Sequence, residues 1–176
     1  MALDFHFNDY FWQAQMPVSG WGAAAGGPVT VTFAPQGRDD APLSAAELAL
    51  VDWMVAHEAE LRAAVLAGIV AAYPDLQASY RNALDDFDAV MPNVALVEDM
   101  QALICLEGIN VHPVVRDDVP YLGYEFACTW DDEHGLGVLM HGARVVEVGQ
   151  ADTAILLWIA EQDAEGVPEP KGKMGF

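Results

Sequence analysis

Three histidines and a run of acids fall between residues 112 and 141: His112, Asp131, Asp132, Glu133, His134 and His141. Imidazole and carboxylate are the groups of general acid–base catalysis and of metal binding, so their spacing is weighed first. A zinc site needs three or four ligands converging on a tetrahedron. The short patterns that deliver one, H-x-x-x-H, C-x-x-C and H-E-x-x-H, are absent. No metal and no cofactor is expected, and no residue is assigned as catalytic. Nucleophilic chemistry has no better support. There is no G-x-S-x-G, and Ser19, Ser44 and Ser79 have no strand-to-helix elbow. Cys105 and Cys128 sit in apolar runs, where a thiol stays protonated and inert. Gly20, Gly22, Gly26 and Gly27 lack the G-x-x-x-x-G-K-[ST] of a phosphate loop. A hydrolase using Glu133, His134 and either His112 or His141, metal-assisted or not, stands as an alternative only if those groups converge in a pocket.

The elements around these residues read as an antiparallel β-meander. Ile109 to Val115 is a strand and residues 116–120 turn the chain. Tyr121 to Trp130 places Leu122, Tyr124, Phe126, Cys128 and Trp130 on one apolar face, which predicts a sheet with one buried face. Asp131 to Gly135 is a loop, Leu136 to His141 a strand, Gly142-Ala143 a tight turn and Arg144 to Gly149 a strand. With a five-residue loop, Trp130 pairs with Leu136, Cys128 with Val138 and Phe126 with Met140. With a two-residue hairpin turn, His141 pairs with Arg144 and Leu139 with Val146. That register predicts a Glu125–His141–Arg144 cluster across the sheet, either an ion network of the sheet face or the anchor of a binding surface. Candidate binding residues are therefore Glu125, Asp131, Asp132, Glu133, His134, His141 and Arg144.

Upstream, residues 1–36 read as aromatic-rich strands and turns, with Val29 to Phe33 alternating as a strand. Ser44-Ala45-Ala46-Glu47 fits a capping box with Leu43 and Leu48 as its staple. The stripe Leu50, Met54, His57, Leu61 and Val65 predicts one helix to about Tyr73, stopped by Pro74, with His57 at the core edge. A second helix carries Leu76, Tyr80, Leu84 and Phe87, and Asp85, Asp86 and Asp88 near its end oppose the helix dipole. A short third helix with Leu96, Met100 and Leu103 ends by Gly108, and a last helix starts at Asp152 or Thr153. The whole is an α+β fold, with N-terminal strands and the C-terminal meander sharing a core with one long and two or three shorter helices. Residues 1–163 form one domain and 164–176 a loose tail.

Charge separates the function classes. The 176 residues hold 27 Asp and Glu against 7 Lys and Arg, a net charge of −20, yet 53% of the chain is apolar. That is too apolar for a disordered acidic tail and too acidic for unaided binding to nucleic acid or an anionic membrane. The acids spread along the chain with no separable block, so they belong to the folded surface. The opening residues show no signal peptide, no run is long enough to span a bilayer, and two cysteines exclude a disulfide scaffold. A cytoplasmic protein is expected.

The stretches 109–114, 121–141 and 145–153 resemble an uncharacterised bacterial domain family with a C-x-W-D-x-E-H-G-L-G-V core, matched from Cys128 to Val138. Its members are often encoded in polymorphic-toxin neighbourhoods and are treated as candidate immunity proteins. The resemblance covers residues 95–160 best. It implies a binding protein whose carboxylates cover a basic partner, such as a toxin, and brings no catalytic residues with it. A structural or regulatory module is the further alternative. Trp130 and Gly135 of the core have packing and turn roles, whereas Glu133 and His134 have none in the sequence.

Overall fold

The structure, a computed structural model, describes residues 2–22 and 27–166. Seven strands form one mostly antiparallel sheet in chain order: β1 (His6–Phe7), β2 (Trp12–Pro17), β3 (Pro28–Phe33), β4 (Ile104–Arg116), β5 (Val119–Cys128), β6 (Leu136–His141) and β7 (Arg144–Gly149). Only β3 and β4 run parallel, and the crossover they require carries four helices. These are α1 (Ala45–Ala56), α2 (Glu58–Tyr80), α3 (Phe87–Val90) and α4 (Val97–Gln101). A 3-10 turn (Ala151–Ala154) and α5 (Leu157–Ala164) follow the last strand.

The capping box forms as the sequence predicts. Ser44 Oγ accepts from the Glu47 N–H at 3.3 Å, and Glu47 Oε2 accepts from the Ser44 N–H at 2.7 Å. The expected single helix is two. At His57 the backbone N–H and ring Nδ1 both turn to the Trp53 carbonyl, the ring stacks on Trp53 at 4.2 Å, and the helix restarts at Glu58. Pro74 stops nothing: it lies inside α2, which runs on to Tyr80. Its missing N–H forgoes one rung of the ladder, and the buried face of α2 holds the helix together on either side. The expected second helix is thus the end of α2 followed by the single turn α3, and β4 already begins at Ile104.

The main core lies between α1–α2 and one sheet face. Val51, Met54, Leu61, Val65, Ile69 and Tyr73 meet Val31, Ile109, Leu122, Tyr124, Val138 and Met140, all at most 2% exposed. Contrary to the one-sided sheet expected, the second face is also covered over β5 and β6. The 3-10 turn lies directly on it, because a Cβ on Gly123 would strike the Ala154 carbonyl and one on Gly137 would strike the Gln150 carbonyl. Beside that turn, Ile159 and Ala160 of α5 pack on Tyr121 and Leu139 in a second apolar cluster. The tail expected over 164–176 lies outside the described residues from 167 onward; Ala164 itself closes α5.

Candidate protein-binding surface

The β6–β7 hairpin has the predicted Gly142-Ala143 turn and the His141–Arg144 pair. A bulge at Val146 then puts Leu139 opposite Glu147 rather than Val146. The β5–β6 register differs by four residues from the one expected. Phe126 pairs with Leu136, Tyr124 with Val138 and Leu122 with Met140. An even slip leaves every side chain on its predicted face, so the apolar face still closes. It does separate the predicted cluster. Glu125 lies opposite Gly137, while His141 lies opposite Tyr121.

Each half of that cluster has its own partners. Glu125 sits between Gly108 and Gly137 of the neighbouring strands and accepts from the buried Asn110 amide at 2.6 Å. At the far end of β6, His141 stacks on Tyr121 at 4.6 Å and its Nε2 meets the Arg116 carbonyl at 2.9 Å. Arg144 forks onto Asp163 of α5, with Nη1 to Oδ1 at 3.1 Å and Nη2 to Oδ2 at 2.5 Å. The Tyr121 hydroxyl also donates to Asp163, at 2.6 Å. The Arg144 hydrogen bonds, helped by Tyr121, hold the Asp163 carboxyl below the usual range against its partial burial. Burial and the Asp163 bond push the Tyr121 phenol up to about 12.

The loop between β5 and β6 is built around Asp131. Its carboxylate accepts from the Tyr80 hydroxyl at 2.6 Å, the His134 N–H at 2.9 Å and the Gln150 amide at 3.4 Å. The His134 ring Nδ1 lies 3.1 Å from the same carboxylate. Burial alone would raise the Asp131 carboxyl, but these bonds outweigh it and hold it low. Gly135 adopts φ +62° and returns its N–H to the Asp131 carbonyl, and Trp130 is buried edge-on against Tyr73. Trp130, Asp131 and Gly135 therefore build the loop, and Asp132, Glu133 and His134 are left exposed on it.

The histidines do not converge. His112 is fully buried, its Nε2 on the Ala154 carbonyl at 3.0 Å, and burial lowers its pKa. His134 precedes β6 and His141 ends it, a separation of roughly 20 Å along an extended strand. Among the described residues, no group of three or more His, Cys, Asp or Glu is placed to hold a metal ion. Burial pushes the Cys128 thiol up to about 11, consistent with an inert core cysteine.

The loop's neighbours make this end of the molecule acidic. Tyr80 and Val90 both bind the loop region, Val90 through its carbonyl to Thr129 Oγ1 at 2.6 Å. They bracket the turn that carries Asp85, Asp86 and Asp88, all exposed. Leu96, 61% exposed, lies between α3 and α4 with exposed Glu98 and Asp99 close behind it in the chain. Of the 26 acids among the described residues, 20 are exposed and none is buried. All five described arginines are engaged: Arg38 with Glu47, Arg62 with Glu58, Arg81 over the Phe87 ring, and Arg116 and Arg144 with Asp163. Sequence reasoning missed Tyr80, Asn110, Tyr121 and Asp163, the partners that fix these groups. Strand-interior glycines 123, 137 and 149 were the one available signal of the turn pressed on the second face.

Residues 3–156 match the model of a family described as Domain of unknown function (DUF6985), and the chain belongs to that family. No curated protein and no solved structure matches the chain. No helix among the described residues is long and apolar enough to cross a membrane.

Proposed function

We propose that this member of a family of unknown function is an acidic protein-binding module, an immunity-type inhibitor that lays its carboxylates over a basic partner such as a toxin. One observation carries the reading: of the 20 exposed carboxylates among the described residues, only those of Asp39 and Asp117 have an arginine within 4.0 Å. Such a surface attracts a cationic cleft from a distance and repels nucleic acid and anionic lipid. The contact end is the loop at Asp132, Glu133 and His134 together with Asp85, Asp86 and Asp88. Asp131 supports it, because hydrogen bonds already occupy its carboxylate. Leu96, exposed and followed in the chain by exposed Glu98 and Asp99, offers an apolar contact of the kind protein interfaces use.

The test is titration with the product of the neighbouring gene, followed by association kinetics from about 50 to about 500 mM salt. Screening over that range shortens the Debye length from about 14 to about 4 Å, so the on-rate falls at least about tenfold. A salt-insensitive on-rate overturns the electrostatic reading. The hydrolase alternative needs Glu133, His134 and either His112 or His141 in one pocket, and it loses its geometric support because His112 is buried and His134 and His141 stand at opposite ends of β6. It predicts turnover of ester or phosphoester substrates that Glu133→Gln abolishes, Glu133 being exposed and holding nothing in the fold.

A further inference from the structure

We propose that Arg116, Tyr121 and Arg144 form a carboxylate-binding site for an acidic helical segment, kept closed in this chain by its own α5. The residues of the site come from the β4–β5 and β6–β7 hairpins, inside the span 3–156. The carboxylate that fills it comes from Asp163, beyond that span. Arg144 grips it with the two-pronged geometry that suits a carboxylate, and the Tyr121 hydroxyl adds a third donor. Arg116 Nη1 reaches the Asp163 carbonyl at 3.1 Å and its Oδ2 at 3.9 Å, while keeping Asp117 at 3.7 Å. His141 backs the site, stacked on Tyr121 and bonded to the Arg116 carbonyl.

The site reads a helix as well as a charge. Ile159 and Ala160 precede Asp163 by four and three residues, so all three share one helix face. The two apolar side chains fill the patch of Tyr121 and Leu139, flanked by Val114 and Val146, while the carboxylate reaches the arginines. This patch is separate from the main core. An eight-residue helix has no stability of its own and is held by docking alone. Its other polar tether is the Leu157 N–H on Gln36 at 2.6 Å. Lifting α5 would free the Arg144 fork and the donor that Arg116 gives to α5, so the site offers two guanidinium groups to an incoming carboxylate. The occupant is thus a peptide helix with an apolar pair followed three to four residues later by Asp or Glu, and α5 competes with it in cis.

The experiment uses the full chain and a fluorescent peptide of residues 155–166. Asp163→Asn removes the clamp from α5 but leaves the site intact, so this variant binds the peptide at least about tenfold more tightly than the wild type does. Adding Arg144→Gln abolishes that binding, and a peptide carrying Asp163→Asn fails to bind. Equal binding by wild type and Asp163→Asn overturns the proposal, as does binding indifferent to Arg144. Amide exchange on the wild type provides a readout independent of the variant. Residues 157–164 exchange at least about tenfold faster than β5 if α5 opens by itself, and exchange in step with β5 overturns the proposal.

Discussion

Tyr80, the last residue of α2, donates its hydroxyl to the carboxylate of Asp131, 51 positions away, at 2.6 Å. This bond fastens the end of the long helix to the loop between β5 and β6. It explains why the helix has to run past Pro74: a helix ending at Tyr73 would leave the loop's central acid without its strongest neutral donor. It also shows why Asp131 differs from Asp132 and Glu133 beside it, which are free for a partner.

Asp131→Ala removes several hydrogen bonds to a charged group and should cost about 2–3 kcal/mol of stability; Tyr80→Phe removes one and should cost about 1–2 kcal/mol. Urea unfolding measures both. Losses below about 0.5 kcal/mol would mean that the loop holds its shape without the Tyr80–Asp131 bond.

The pH dependence follows from the depressed carboxyls of Asp131 and Asp163. A carboxyl whose folded pKa lies below its unfolded value of about 3.9 adds stability above that value and loses it as pH falls through the folded pKa. The stability gap between wild type and Asp163→Asn should be constant above about pH 5 and shrink below about pH 4. A gap that widens on acidification would contradict the sign of the shift.

Gly123→Ala places a methyl against the Ala154 carbonyl, backbone that cannot rotate away. The 3-10 turn must lift from the sheet, and the His112–Ala154 bond goes with it. The expected loss is about 3 kcal/mol or more, with faster amide exchange in 151–164. A variant as stable as the parent would show that the turn does not press on β5.

Pro74 is exposed within α2. Pro74→Ala restores a hydrogen bond and should raise stability by about 1–3 kcal/mol. Ser44→Ala removes the cap of α1 and should lower it by about 1 kcal/mol. Opposite signs in thermal melts check the pair.

Asp132→Asn with Glu133→Gln changes two exposed side chains that hold nothing in the fold. Stability should move by less than about 0.5 kcal/mol, while association with a basic partner slows severalfold at low salt. An unchanged on-rate would move the contact surface away from this loop.

Features decided within a few residues could be read from the chain alone. Ser44 and Glu47 cap each other three positions apart, and the Gly142-Ala143 turn joins strands whose bounds agree with the alternation of residues 136–149. The acidity could be read as a surface property too, since carboxylates are almost never buried unpaired. Registers and partners could not. Alternation has a period of two, so sliding β6 by four positions along β5 preserves every face, and only the loop built on Asp131 selects the observed pairing. The stripe through His57 continues across the break between α1 and α2, so periodicity cannot locate it. Asp163 meets Arg144, and Tyr80 meets Asp131, because the crossover and the meander bring distant segments together. Local hydrogen bonding and hydropathy set the elements and the sign of the surface, whereas long-range packing set which side chains meet, because that depends on how the elements dock and not on any one of them.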